Sequence, residues 1–114
     1  NDMDIFENKR KILILGDMLE LGKFSREYHI KIARFINKTN INLVFCSGKR
    51  MKYLWDNLSK NKKGAFAENP EELIKPLTEK IINKDILLLK GSSNSKIKTI
   101  LSYLNNENLI REIA

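Results

Sequence analysis

The sequence has few of the residues that build metal, redox and nucleophilic sites: its one cysteine is Cys46 and its one histidine is His29. A lone cysteine rules out an internal disulfide and fits a reducing cytoplasm most simply. Standing at the end of an apolar run, Cys46 reads as a small buried hydrophobe. One histidine and one cysteine provide no metal-ligand cluster, and no nucleophile–histidine–acid set stands out. No apolar stretch approaches the roughly 20 residues that a membrane-spanning helix requires. The opening residues, Asn1-Asp2-Met3-Asp4, lack the basic-then-apolar order of a signal peptide, and position 1 is not Met. The expectation is a piece of a longer chain or a processed product. Phosphate loops are missing as well. No Gly-x-x-x-x-Gly-Lys-Ser/Thr occurs, because Ser47-Gly48-Lys49-Arg50 has no upstream glycine, and no Gly-x-Gly-x-x-Gly follows a strand pattern. Any ATP that is used must have its phosphates held mainly by residues outside this chain.

Against these absences, 114 residues that are 42% hydrophobic and 31% charged suit one domain around one core. The net charge of +7 would suit an anionic partner such as a nucleotide or nucleic acid. Lysines are nevertheless scattered through every segment, and only Lys60-Asn61-Lys62-Lys63 clusters, in a connecting stretch. That distribution favours a solvated basic surface over a nucleic-acid site.

The chain is organised around Lys11–Gly22, KILILGDMLELG. Ile12–Leu15 is an unbroken apolar run halted by Gly16, the pattern of a strand, Lys11–Leu15, buried on both faces. Before it, Ile5-Phe6 reads as the end of a helix joined through Glu7–Arg10. After it, Ser25 can cap a helix with Glu27 in its first turn and Tyr28, Ile32, Phe35 and Ile36 on one buried face. A second strand covers Ile41–Cys46 and ends at Ser47-Gly48, followed by a helix with Met51, Leu54, Trp55 and Leu58 inward. Gly64–Ala67 fits a short third strand. Asn69-Pro70-Glu71-Glu72 has the cap, the first-turn proline and the capping-box acid of a helix start. Leu73, Leu77 and Ile81 continue that helix, with Pro76 set to kink it or shorten its first part. Asp85–Leu89 is a fourth strand, Ile97, Ile100, Leu101 and Leu104 mark another helix, and the tail from Asn105 to Ala114 suits one short helix. Alternating strands and helices assemble as an α/β fold with a parallel sheet and right-handed crossovers. All strand ends then share one edge, where such sheets place their ligands.

Two of those ends carry chemistry. Asp17 follows the first strand and could hold a cation, a ribose or a substrate amine, or simply cap its own loop; the residues leave both open. Lys90-Gly91-Ser92-Ser93 leads from strand to helix, where free N–H groups and the lysine suit an anion, or form a plain turn with a serine cap. His29, in the first turns of a helix, favours a packing or loop-bracing role over catalysis.

The run Gly16-Asp17-Met18-Leu19-Glu20-Leu21-Gly22, with Ser25 and His29, closely resembles the C-terminal domain motif of the Mur ligase family, in its D-alanyl-D-alanine-adding branch. Leu87-Leu88-Leu89-Lys90-Gly91-Ser92 resembles that domain's second signature, and Phe66 to Leu73 fits the segment between. The resemblance covers roughly residues 9–104. Ser93 stands where the family usually has arginine, and the family domain begins upstream with an Asp- and Asn-rich strand segment that this chain lacks. The resemblance implies a Rossmann-like three-layer domain with a mainly parallel sheet, one strand short, spanning residues 1–114. It implies a cytoplasmic ligase of three domains for peptidoglycan precursor synthesis. An N-terminal domain binds the UDP-sugar, a central domain holds ATP and Mg²⁺, and the C-terminal domain closes over the site. ATP activates the carboxylate of UDP-N-acetylmuramoyl-tripeptide as an acyl phosphate, which the D-Ala-D-Ala amine attacks. On this reading the isolated chain is inactive and binds no cofactor tightly. Asp17, Met18, Glu20, Lys90, Gly91 and Ser92 face substrate or the partner domains, while Gly16, Gly22, Ser25 and His29 shape the motif. The alternatives are a free-standing Rossmann-like nucleotide-binding module and a basic nucleic-acid-binding domain.

Overall fold

A computed structural model describes residues 9–17, 24–91 and 97–106. The helix end expected near Ile5-Phe6 and the tail beyond Asn106 lie outside the described residues. Among those described, four strands form one sheet: β1 (Lys11–Leu15), β2 (Leu43–Ser47), β3 (Lys63–Ala67) and β4 (Ile86–Lys90). All neighbours are parallel, in the order β3-β2-β1-β4. Ile14 lies opposite Phe45 on one side and Leu89 on the other, so β1 is interior. An interior parallel strand must be apolar on both faces, which accounts for its uninterrupted Ile-Leu-Ile-Leu.

Helices cover both faces. On one, Ile12, Ile14, Phe45 and Leu87 pack with Leu73, with Leu77 of α3 (Ile74–Lys80), and with Ile97, Ile100 and Leu104 at α4 (Lys98–Asn106). The side chain of Leu101, expected in that stripe, lies outside the described set. On the other face, Leu15, Val44 and Cys46 meet Ala33 and Ile36 of α1 (Ser25–Asn37). Met51, Leu54 and Leu58, in and around α2 (Lys52–Asp56), complete this cluster. The result is the three-layer α/β architecture with a parallel sheet.

Several local expectations change. The buried stripe of α1 is Ser25, His29, Ala33 and Ile36, while Tyr28 and Phe35 are 41% and 68% exposed. Small residues at 25 and 33 let the helix lie close on the sheet, and that rotates the aromatics outward. Ser25 is not the cap: Phe24 holds that position, and the Ser25 hydroxyl lies 3.3 Å from His29 Nδ1. The lysine cluster is not a solvated face throughout, because Lys62 is buried and donates to the carbonyls of Thr39 (2.9 Å) and Ile41 (2.6 Å). Lys63 sits over the Trp55 ring, 5.4 Å from its centre. The helix expected from Pro70 opens as a 3₁₀ turn, Pro70–Leu73, so Pro76 falls in the first turn of α3, where a missing N–H is tolerated. Asp85 precedes β4 instead of starting it; its carboxylate accepts Arg10 Nε (3.0 Å), Arg10 Nη2 (2.8 Å) and the N–H of Ile82 (2.8 Å).

Close packing makes two positions testable. A Cβ at Gly64 would fall 2.7 Å from the Phe45 ring, so Gly64→Ala should cost about 1–3 kcal/mol in urea unfolding. A neutral result would mean that Phe45 moves freely. Cys46 is fully buried, and burial pushes its thiol up to about 12. Alkylation of the native protein at mild alkaline pH should therefore proceed only at the rate of unfolding; rapid labelling would contradict the packing.

Candidate functional site

The expected rim exists. Gly16 N–H donates to the Lys90 carbonyl at 2.8 Å, joining the carboxyl ends of β1 and β4. Gly48 N–H donates to the Ala67 carbonyl at 3.0 Å, joining those of β2 and β3. The chain runs from β1 outward through β2 to β3 and then returns to lay β4 on the other side of β1. The reversal lies between β1 and β4, where open α/β sheets bind ligands. Asp17 and Lys90-Gly91 stand there, Lys90 exposed and Gly91 half-buried.

Asp17 also reaches sideways. Its carboxylate accepts the backbone N–H groups of Arg50 and Met51, which open the 3₁₀ turn Lys49–Met51 leading into α2. It thereby acts as a cap supplied from another strand to a turn in which the Met51 N–H also donates to the Gly48 carbonyl at 3.1 Å. Gly48 makes room. Its φ is +110°, and a Cβ there would fall 2.1 Å from Asp17 Oδ1, so backbone angle and space both require glycine. Burial pushes the Asp17 carboxyl above the ordinary aspartate range. The positive charge of Arg50, then His29, then the two N–H groups pull it partly back.

His29, on the inner face of α1, is 2% exposed. Its Nδ1–H donates to the Ser25 carbonyl at 2.6 Å, which brings the two expected motif residues together within α1. Gly16 is buried at the strand end. Met18, Glu20, Gly22 and Ser92 lie outside the described residues. Sequence reasoning missed Arg50 as a partner of Asp17; the available signal was a Gly-Lys-Arg turn after a buried strand. At the opposite pole, a depression of about 220 Å³ lined by Lys9, Arg10 and residues 82–85 holds none of the rim residues. Among the described residues no three His, Cys, Asp or Glu side chains form a metal cluster, and no helix is long and apolar enough to cross a membrane.

Parallel strands, helices on both faces and polar turns gathered at the point of reversal define a doubly wound α/β domain. Residues 3–93 match the model of the Mur ligase glutamate ligase domain, and the chain belongs to this family. It is 40% identical over 99 residues to the UDP-N-acetylmuramoyl-tripeptide–D-alanyl-D-alanine ligase of Buchnera aphidicola subsp. Baizongia pistaciae, a match covering 85% of this chain and 21% of the relative. With the ligase of the same name from Rickettsia prowazekii, identity is 33% over 93 residues, covering 82% and 21%. The crystal structure of MurF ligase from Thermotoga maritima in complex with ADP shares the fold at a TM-score of 0.71 and 22% identity, over 93% of this chain and 25% of that one. MurF from Acinetobacter baumannii does so at 0.74 and 23%, over 87% and 23%. The chain thus spans about a fifth of the length of the curated relatives it matches.

The raised Asp17 carboxyl has a sign that can be checked. Folded Asp17 keeps a proton that the unfolded chain has already released, so its contribution lowers stability as pH rises from the ordinary aspartate range through the raised value. Asp17→Asn should flatten that part of the profile, from the ordinary aspartate range upward. Urea midpoints measured across this window should converge toward acid and separate above it. Parallel profiles would show that Asp17 is not desolvated.

Proposed function

We propose that the chain is the C-terminal domain of a UDP-N-acetylmuramoyl-tripeptide–D-alanyl-D-alanine ligase, closing over a site completed by other domains. The observation that carries this is the 40% identity to a ligase of that name over 85% of this chain, beside a family match over residues 3–93 that takes in Asp17 and Lys90. In such an enzyme ATP supplies the activation that turns the tripeptide carboxylate into an acyl donor for the D-Ala-D-Ala amine. This chain's part is to hold its rim in shape and bring it down on the reactants. Orientation of that kind lowers a barrier substantially without a donated catalytic group.

The residues present fit a supporting contact to an anion better than a full ATP site. Lys90 and Arg50 supply positive charge and Gly91 lets a ligand approach the backbone, but no phosphate loop occurs and no acidic cluster for Mg²⁺ lies among the described residues. ATP phosphates and Mg²⁺ are accordingly assigned to the central domain, the UDP-sugar to the N-terminal one, and the reaction to the cytoplasm. Burial of Lys62, and the placing of Lys63 over Trp55, weaken the nucleic-acid alternative by dispersing the one basic cluster.

The test is a chimera in which this chain replaces the matching domain of the Rickettsia prowazekii relative. ATP-dependent joining of D-Ala-D-Ala to the UDP-linked tripeptide should be retained. Asp17→Ala in the chimera should lower turnover on the order of 10- to 100-fold while costing only about 1 kcal/mol of stability. Calorimetry of the isolated 114-residue chain with ATP should show no tight binding. Tight unaided binding, or equal losses of turnover and stability, would contradict the closing-domain reading.

A further inference from the structure

Helix α1 carries an apolar line that the helices described beside it leave open. Tyr28 and Phe35 are exposed, and Ile32 between them is half-buried. The line faces away from α2. Asn37 marks the side of α2, since its amide donates to the Asn57 carbonyl (3.0 Å) and accepts the Ser59 N–H (2.8 Å). Tyr28 lies two and a half turns before Asn37, at about 3.6 residues per turn, and so points the other way. On that side the helix looks over β4. Leu88 of β4 lies opposite Leu13 of β1, and both are half-buried. Leu88 alternates with Leu87 and Leu89, which belong to the cluster under α3 and α4, so it presents the α1 face. Leu13 packs into the cluster under α1 and α2, whereas Leu88 joins neither cluster among the described residues.

The handedness of the crossovers says what fits this sector. The steps from β1 to β2 and from β2 to β3 move one way along the sheet and put α1 and α2 on one face. The step from β3 to β4 moves back, and α3 lies on the other face. Both follow the right-handed rule for parallel strands. A helix feeding β1 from the β4 side moves in the same direction as α1, so the rule puts it on the α1 face, over Leu88. A helix arriving from the β3 side would need the face that α3 and α4 already fill.

We propose that the sector bounded by Tyr28, Ile32 and Phe35 of α1 and by Leu13 and Leu88 of the sheet seats an amphipathic helix that leads into β1, with Ile5 and Phe6 as its last apolar residues. Two observations favour this occupant over a foreign partner. Residues 1–8 lie outside the described set and join directly to the stretch that enters β1 at Lys11. The family match reaches back to residue 3, and the chain spans about a fifth of its relative's length, so the remainder of the helix has a source in the same polypeptide.

The test fuses to Asn1 the stretch of about 30 residues that directly precedes the matched region in the Buchnera aphidicola relative, enough for one strand and its helix. Tyrosine nitration is mapped residue by residue with and without the extension. Tyr53 and Tyr103, 42% and 39% exposed, are internal references for Tyr28 at 41%. Nitration of Tyr28 should be lost in the extended chain, while Tyr53 and Tyr103 react as before. Unchanged reactivity of Tyr28 overturns the proposal. So does protection that appears only in the whole chimera, which would give the seat to another domain. Protection of the unextended chain that grows with its concentration would give it to a second copy, and is equally fatal. If the extended chain does not fold, nuclear Overhauser contacts in the 114-residue chain decide: Ile5 or Phe6 should reach Ile32 or Leu88, and their absence refutes the seat. A chimera inactive as a ligase would leave this result untouched, because nitration reads the fold and no turnover.

Discussion

The shape of the rim depends on one carboxylate placed against backbone. Asp17 leaves the end of β1, passes over the Cα of Gly48 and meets the N–H groups of Arg50 and Met51. Strand hydrogen bonds already join β1 to β2 as far as Leu15 and Cys46, but beyond that pair the chains diverge into separate turns. The Asp17 contact carries the connection one step further, so that the turn after β2 is fixed relative to the switch point between β1 and β4. A carboxylate is well suited to this: it accepts more than one N–H, and negative charge is favoured at the start of a helix. Gly48 is what allows it, since any side chain would occupy the space of the carboxylate.

Such a rim fits a domain that completes a site better than one that contains it. Its cations are arranged on turns, with Lys90 exposed and Arg50 half-buried beside Asp17. The sheet beneath is rigid because both faces are packed, by two helices each. A rigid plate with polar turns along one edge can move as a body and keep the spacing of its contacts, which closure over a reacting centre requires. The Arg10–Asp85 pair does comparable work at the other pole, tying the residue before β1 to the residue before β4.

Much of this was legible in the chain. Runs such as Ile12–Leu15 and Leu87–Leu89 could only be strands buried on both sides, and alternation with helices made the sheet parallel. Gathering of the turns at one edge followed from that topology. The face of α1 was misread because large residues were weighted over small ones: Tyr28 and Phe35 are bulkier than Ser25 and Ala33, but close helix–sheet packing selects the small pair. Lys62 was misread because a lysine in a polar stretch gives no sign that two carbonyls await it inside. Arg50 and Asp85 escaped notice since their partners lie 33 and 75 positions away, and spacing of that kind carries no periodic signal. Asp17 was singled out for its place after a strand, while its bond to the neighbouring turn depends on Gly48, a residue whose importance shows only in three dimensions.

Amide hydrogen exchange in Asp17→Ala, followed residue by residue, tests the central claim most directly. The Arg50 amide should exchange at least about tenfold faster than in the wild type, while amides within β1 and β2, such as Ile14 and Phe45, keep their protection. An Arg50 amide exchanging at the same rate in both proteins would show that the turn after β2 stands without the carboxylate, and the account of the rim would fail.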